Sequence, residues 1–296
     1  MDNYKNSISM MPELNEEDYK LVKILEAVCY EKQRTNLKLE LEFKNRQRKK
    51  SIKNKIMLEF LYYENEILVG YLGLCNFGGN TLEVSGMVHP NFRRKGIFKK
   101  LYLIAKEEWK KLYSLEVLLL CDHTSISGLA FINSIKAEYV SAEYKMCLNK
   151  RKPEVTYENR IKLRLTTSDD AAEVYRQNSI YSGISENEAE EDIEKSSTTL
   201  DDSFINYMAE IEGKIIGKIH ISITDNEGFI YGFGVLPNFR GKGYGREILS
   251  SALELLKKKN VDNIYIEVAT ENKNALSLYE ASGFEEISVM DYYTVY

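Results

Sequence analysis

One seven-residue turn occurs twice in this chain, as Pro90-Asn91-Phe92-Arg93-Arg94-Lys95-Gly96 and as Pro237-Asn238-Phe239-Arg240-Gly241-Lys242-Gly243. The copies lie 240 − 93 = 147 residues apart in a chain of 296, which is close to half its length. At the same offset Gly70 matches Gly217 after an apolar pair, Val88 matches Val235, and the apolar run around Leu119 matches that around Ile266. A period this long excludes a solenoid, whose units span roughly 20 to 50 residues. The chain therefore reads as one fold written twice, with residues 1–150 as one domain and residues 160–296 as the other. Only the beginnings, residues 1–33 and 162–177, fail to overlay without a shift.

With 44% hydrophobic and 29% charged residues, each half has the means to bury its own core. No apolar run approaches the roughly 18 residues of a spanning helix. Residues 1–15 lack the basic-then-apolar order of a secretory signal, so the expected location is cytoplasmic. Cys29, Cys75, Cys121 and Cys147 stand singly and there are three histidines, so neither a zinc site nor a disulfide frame is expected, and no metal. The net charge of −5 argues against bulk nucleic-acid binding. The basic run from Lys44 to Lys55 reads as a solvated helix face or loop, its functional alternative being a dock for a ribosomal surface, nucleic acid or another acidic partner.

Periodicity gives both halves one order of elements. Residues 204–209 and 214–223 read as a hairpin around Gly213, and residues 229–235 as a strand closed by Leu236-Pro237. Beyond Gly245, apolar residues recur at helical spacing (Ile248, Leu249, Ala252, Leu253, Leu256), with lysines in the last turn where the helix dipole favours cations. Residues 264–268 form a further strand, 274–282 a short helix stopped by Gly283, and 284–296 the last strands. The first half repeats this at 59–63, 67–74, 81–88, 97–112, 115–121 and 127–135. Such an alternation predicts a layered α/β domain. The polar stretch 149–159, with Pro153, is the expected linker.

Arg240-Gly241-Lys242-Gly243-Tyr244-Gly245 stands between a strand and a helix. Glycines there let the backbone approach an anion, and the helix start offers unpaired N–H groups, so the loop suits a pyrophosphate; tight turns use glycine too. The spacing fits neither the nucleoside-triphosphate loop nor the dinucleotide fingerprint. It resembles the coenzyme A signature of the GNAT superfamily of N-acetyltransferases, met at Val235, Pro237, Arg240, Gly243 and Gly245, and joined downstream by Asn272, Ala275, Leu278, Tyr279, Gly283 and Phe284. The resemblance covers residues 162–296 and, through the repeat, most of the first half. It implies two tandem GNAT domains, each a mixed, mostly antiparallel sheet with splayed central parallel strands and flanking helices. It further implies an N-acetyltransferase that uses acetyl-CoA as co-substrate and acts on a small-molecule or peptide amine, with no membrane partner.

By the same resemblance, backbone groups of Phe233 and Val235 pair with the pantetheine arm. Arg240 and the amides of Gly241, Lys242, Gly243, Tyr244 and Gly245 hold the pyrophosphate, and Asn272 and Ala275 lie along the arm. Tyr279 donates a proton to the departing thiolate. Glu267, 279 − 267 = 12 residues before it, is the expected base, a spacing similar to that of ribosomal-protein N-terminal alanine acetyltransferases. Glu227, Tyr231 and bulk solvent are rivals for that role. At the offset of 147, Gly245 becomes Phe98, Glu267 becomes Leu120, Asn272 becomes Ser125, Tyr279 becomes Ile132 and Gly283 becomes Lys136. The first half is therefore expected to be catalytically silent, a layout similar to that of the mycothiol synthases. Residues 181–200, with an acidic run at 186–192, and Tyr292, Tyr293 and Tyr296 are candidate acceptor-pocket residues. A non-catalytic acyl-CoA sensor and a ribosome- or nucleic-acid-associated modifying enzyme are the alternative functions.

Overall fold

The hairpins flanking each repeated turn set the architecture. A computed structural model describes residues 6–50, 57–77, 80–112, 115–149, 160–182, 204–224 and 226–295. The chain divides into two units, residues 1–143 with 288–296, and residues 144–287. In the first unit β1 (Asn6–Met11), β2 (Met57–Glu64), β3 (Ile67–Cys75), β4 (Thr81–Val88) and β5 (Glu116–Asp122) neighbour one another in chain order. All pairings are antiparallel except β4 with β5. Helices α1 (Glu16–Gln33), α2 (Leu41–Lys50), α3 (Ile97–Trp109) and α4 (Ile126–Ser134) flank this sheet. Ile97, Leu101 and Ala105 of α3 pack with Val69 and Leu72, while Val22, Leu25 and Cys29 of α1 pack with Leu61, Leu68 and Tyr71.

In the second unit β7 (Lys162–Leu165), β8 (Phe204–Ile211), β9 (Lys214–Thr224), β10 (Glu227–Val235) and β11 (Asn263–Ala269) neighbour one another, again with one parallel pair, β10 with β11. Its helices are α5 (Ala171–Ser182), α6 (Tyr244–Lys258) and α7 (Lys273–Ala281). Helix α6 forms because its apolar residues recur on one face. Ile248, Leu249, Ala252 and Leu256 are fully buried against Ile216, Ile219 and Ile230, and burying each large side chain stabilises by about 1.5–3 kcal/mol.

The offset of 147 governs the strand registers as well as the sequence. Glu59 faces Gly73 in the first unit and Asn206 faces His220 in the second; Leu61 faces Tyr71 and Met208 faces Lys218. Even the irregularities coincide, at Tyr62/Tyr63 and Ala209/Glu210. The two pairings of β10 break the match: Val84 faces Leu119 across the first parallel pair, whereas Ile230, and not Tyr231, faces Ile266 across the second. Strands β3 and β4 pair without interruption from Gly70↔Val88 to Cys75↔Glu83. In the second unit Lys218 pairs with Gly234 and His220 with Tyr231, so two residues, Gly232 and Phe233, oppose Ile219 alone. This is a β-bulge.

Both parallel pairs part towards their C-terminal ends. The ladder runs from Glu227↔Asn263 to Ile230↔Ile266, yet β10 continues to Val235 and β11 to Ala269. In the first unit it stops at Val84↔Leu119, with β4 reaching Val88 and β5 reaching Asp122.

Three expectations change. Two strands belong to both units: β6 (Glu138–Leu148) begins in the first and ends in the second, and β12 (Phe284–Thr294) does the reverse, so the units do not separate at residues 150–160. Tyr292 and Tyr293 consequently sit in the first unit, where β12 pairs antiparallel with β5 from Met290↔Asp122 to Thr294↔Leu118. They do not line the second unit's cavity, and Tyr296 lies outside the described residues. Finally, Lys44 is not part of a solvated face. It is buried, and its ammonium donates to Glu59 Oε2 at 3.2 Å and to the Tyr71 hydroxyl at 3.1 Å, while Tyr71 donates to Glu59 at 2.5 Å. The side chains of residues 46–55, the rest of that basic run, lie outside the described residues. Removing one partner of a buried ion pair strands the other charge. Lys44→Ala is expected to cost about 3–5 kcal/mol of stability, measured by denaturant unfolding followed with a probe in the first unit.

Candidate active site

The loop between β10 and α6 is built to leave donors open. A short turn at Pro237–Phe239 leads to Gly241 and Gly243, whose φ angles of 76° and 85° are left-handed, and α6 starts with no side-chain cap. Among the described residues, none of the amides of Gly241, Lys242, Gly243, Tyr244 and Gly245 donates to another group. The side chains nearby brace the loop rather than enter it. Arg240 Nε donates to the Val235 carbonyl at 2.9 Å, and Lys242 donates to the Asn238 carbonyl at 3.1 Å and lies over the Phe239 ring. Arg160 pairs with Glu247, a carboxylate 5% exposed on the first turn of α6, and lies over the Tyr244 ring at 5.1 Å. A side chain at Gly245 would meet Leu278, Val235 and Phe233 at ordinary contact distances, so any demand for glycine there comes from a ligand and not from the protein.

Beside the loop, where β10 and β11 part, lies a cavity of about 260 Å³. Tyr279, Glu267, Phe233, Asn272, Lys218 and Tyr181 all line it. The bulge shapes this wall. Gly232 has φ 53°, and a Cβ there would come within 2.6 Å of the His220 ring; at Gly234 a Cβ would lie 2.3 Å from the Tyr181 ring. Gly232 and Phe233 are left out of the β9–β10 ladder, which frees backbone groups of Phe233 for a ligand. Tyr279 is 6% exposed, its ring 6.4 Å from that of Phe233, and burial pushes its hydroxyl up to about 12. Asn272 caps α7, its Oδ1 accepting from the Ala275 amide at 3.1 Å. Glu267 is exposed towards the cavity. Of its rivals, Tyr231 also lines the cavity, whereas Glu227 sits at the other end of β10 and accepts from the Tyr265 hydroxyl.

Lys218, His220 and Arg160 went unnoticed in the sequence, whereas Tyr181, the first of the candidate acceptor-pocket residues 181–200, does line the cavity. A signal for the first two existed, a lysine and a histidine at alternate positions of the apolar run KIIGKIHISIT, which places both on one face of a strand. The acidic run 186–192 lies outside the described residues. Among those residues no His, Cys, Asp and Glu cluster would hold a metal ion, and no helix is long and apolar enough to cross a membrane.

The first unit preserves the scaffold and exchanges the chemistry. Arg94 adopts the left-handed backbone of Gly241, and Arg93 Nε donates to the Val88 carbonyl at 2.9 Å just as Arg240 does to that of Val235. Ser125 caps α4 as Asn272 caps α7. A cleft of about 390 Å³ is lined by Gly86, Phe98, Leu120, Phe131 and Ile132. Here the aromatic ring has changed sides. Positions 86 and 98 hold glycine and phenylalanine where 233 and 245 hold phenylalanine and glycine, and a Cβ on Gly86 would come within 3.0 Å of the Phe98 ring.

Residues 171–284 match the acetyltransferase (GNAT) family. The second unit carries a GNAT acetyltransferase domain. The domain's sequence is similar to mycothiol acetyltransferase of Beutenbergia cavernae, 34% identical over 85 residues that make up 28% of this chain and 29% of that one. It is also similar to a ribosomal-protein alanine N-acetyltransferase of Escherichia coli, 27% identical over 86 residues, 29% of this chain and 58% of that one. The chain thus spans between 29% and 58% of the length of these two relatives. In three dimensions a tandem GNAT protein from the clavulanic acid biosynthesis pathway matches 98% of this chain and 98% of its own, with a TM-score of 0.72 at 17% identity, which shows a shared fold.

The partly buried imidazole of His220, beside the second unit's cavity, ties stability to pH. His220 is lowered to about 3, first by burial and then by the nearby Lys218 ammonium. As pH falls below the ordinary value of about 6.5, the unfolded chain takes up the proton that the folded one refuses. Stability is therefore fully present above about pH 6.5 and declines towards pH 3, by at most about 1.4 kcal/mol per unit. Unfolding midpoints between pH 4 and 7 should show this slope in the wild type and a shallower one in His220→Gln.

Proposed function

We propose that the second unit transfers the acetyl group of acetyl-CoA to a primary amine by direct attack in a ternary complex. The observation that carries this reading is the convergence of Tyr279 and Glu267 on one cavity, at the parting of two parallel strands and beside a helix start whose amides are open. The amides of Gly241 to Gly245 suit a pyrophosphate, since a helix N-terminus carries partial positive charge. Phe233, out of the ladder, has backbone groups to offer a pantetheine amide, and Asn272 retains its Nδ2 donors. Gly245 and Ala275, expected along the arm, stand outside the lining of the cavity itself. Arg240 and Lys242 act by fixing the loop.

Acetyl-CoA supplies an activated acyl carbon and a sulfur leaving group. Glu267 takes a proton from the acceptor ammonium through a water, which exposes the nitrogen lone pair. Tyr279 stands ready with a hydroxyl whose proton is held tightly. Because a thiol ordinarily titrates near 8.5 and this phenol near 12, full proton transfer to the sulfur is uphill. The contribution of Tyr279 is a hydrogen bond that strengthens as negative charge develops. In the first unit Ile132 and Leu120 offer neither donor nor base, so that unit holds a cleft without chemistry.

Tyr279→Phe is expected to lower kcat about 10²- to 10³-fold, the usual cost of one donor to developing charge, with acetyl-CoA affinity by calorimetry nearly unchanged. Unaltered turnover would remove Tyr279 from the mechanism. At saturating acceptor the wild-type kcat should rise with pH as the acceptor amine deprotonates and should show no falling limb before about pH 11, because a donor titrating near 12 loses its proton only above that range. A falling limb below about pH 11 that persists unchanged in Tyr279→Phe would sink the assignment, because the essential acid would then be another group.

A further inference from the structure

Strand β9 carries its charge where isoleucines are expected. Lys218 is 1% exposed, and its ammonium donates to the Gly232 carbonyl at 3.1 Å and to His220 Nε2 at 3.1 Å, 5.7 Å from the centre of the Tyr181 ring. All these partners are neutral. Among the described residues no carboxylate forms an ion pair with Lys218. A buried cation without a counter-charge is costly, and proteins ordinarily supply the carboxylate.

The first unit does supply it. Because 71 + 147 = 218 and 59 + 147 = 206, Tyr71 occupies the place of Lys218 and Glu59 that of Asn206, with identical strand registers. There the buried ammonium of Lys44 is matched by Glu59 within the protein. The second unit also buries a cation at this point but has an amide where the carboxylate stood. Its Lys218 lines the same cavity as Glu267 and Tyr279.

We infer that Lys218 binds the carboxylate of the acceptor, so that the amine to be acetylated belongs to a small amino carboxylate. The inference rests on the acetyltransferase reading of this cavity and deepens it. A cavity of about 260 Å³ with an ammonium on one wall and a carboxylate, Glu267, on another matches the two ends of a zwitterion. Burial lowers Lys218 to about 8, so the ammonium prevails at neutral pH, and an anion beside it would offset that burial. His220 stays neutral and presents Nε2 as an acceptor, which orients the ammonium without competing for the anion.

The test pairs free amino acids with their carboxamides, which differ only in the anionic group. Thiol release is measured for each pair, and binding is measured separately by thermal shift in the presence of coenzyme A. The wild type should favour the carboxylates by about 10- to 100-fold in kcat/KM, the range of a charge-assisted hydrogen bond. Lys218→Met should abolish that preference mainly through KM. Asn206→Glu, which returns a carboxylate to the position of Glu59 and leaves Lys218 in place, should do the same and serves if the methionine variant folds poorly. Equal use and equal binding of acids and amides by the wild type would overturn the inference, as would a Lys218→Met defect confined to kcat, which would make Lys218 a proton acceptor. Charge-dependent binding that requires Lys218, without thiol release from any amine, would uphold the anion site while refuting the acetyltransferase reading.

Discussion

A single extra residue in β10 governs the second unit. By inserting Gly232 and Phe233 opposite Ile219, the bulge turns one backbone carbonyl inward to the Lys218 ammonium and takes Phe233 out of the ladder. It also forces glycine at two positions, one to admit a left-handed backbone beside His220 and one to admit the Tyr181 ring. The strand then reaches the turn at Pro237 in the register that the first unit achieves without a bulge. On the N-terminal side of the bulge, β10 pairs with both β9 and β11 one position out of step with the pairings of β4 in the first unit.

The two units show how a duplicated scaffold can diverge at constant packing. Exchange of Gly86 and Phe98 against Phe233 and Gly245 moves an aromatic ring from helix to strand while keeping one ring in the layer. The Lys44, Glu59 and Tyr71 cluster closes in the first unit the wall that Lys218, His220 and Asn206 leave electrically incomplete in the second. The second change leaves the strand register intact, because it substitutes side chains on one face of the sheet, whereas Phe233 lies within the bulge.

Much of this was legible in the sequence, for identifiable reasons. The repeated turn, the apolar spacing of α6 and the glycine stop at Gly283 are local signals, and the structure bears out the elements they predict. The GNAT pattern of residues 235–245 and 272–284 likewise found its family match. What escaped notice depends on contacts between distant residues. Nothing in residues 229–235 announces a bulge, since the need for glycine at 232 and 234 comes from the His220 and Tyr181 rings, which belong to other elements. The burial of Lys44 depends on Glu59 and Tyr71 meeting it across two strands, so a basic run masked an internal ion pair. The C-terminal tyrosines were misassigned because sequence order suggested that the last strand belongs to the last domain.

That last feature has a bearing on biogenesis. Since β6 and β12 each pass from one unit to the other, neither sheet is complete when its own half of the sequence has been synthesised. The edge of β5 stays unpaired on the ribosome until residues 288–296 emerge, and an exposed strand edge invites pairing with other chains. Duplication of the sequence has therefore not made the first half self-contained, since its sheet is completed only by the last strand of the chain.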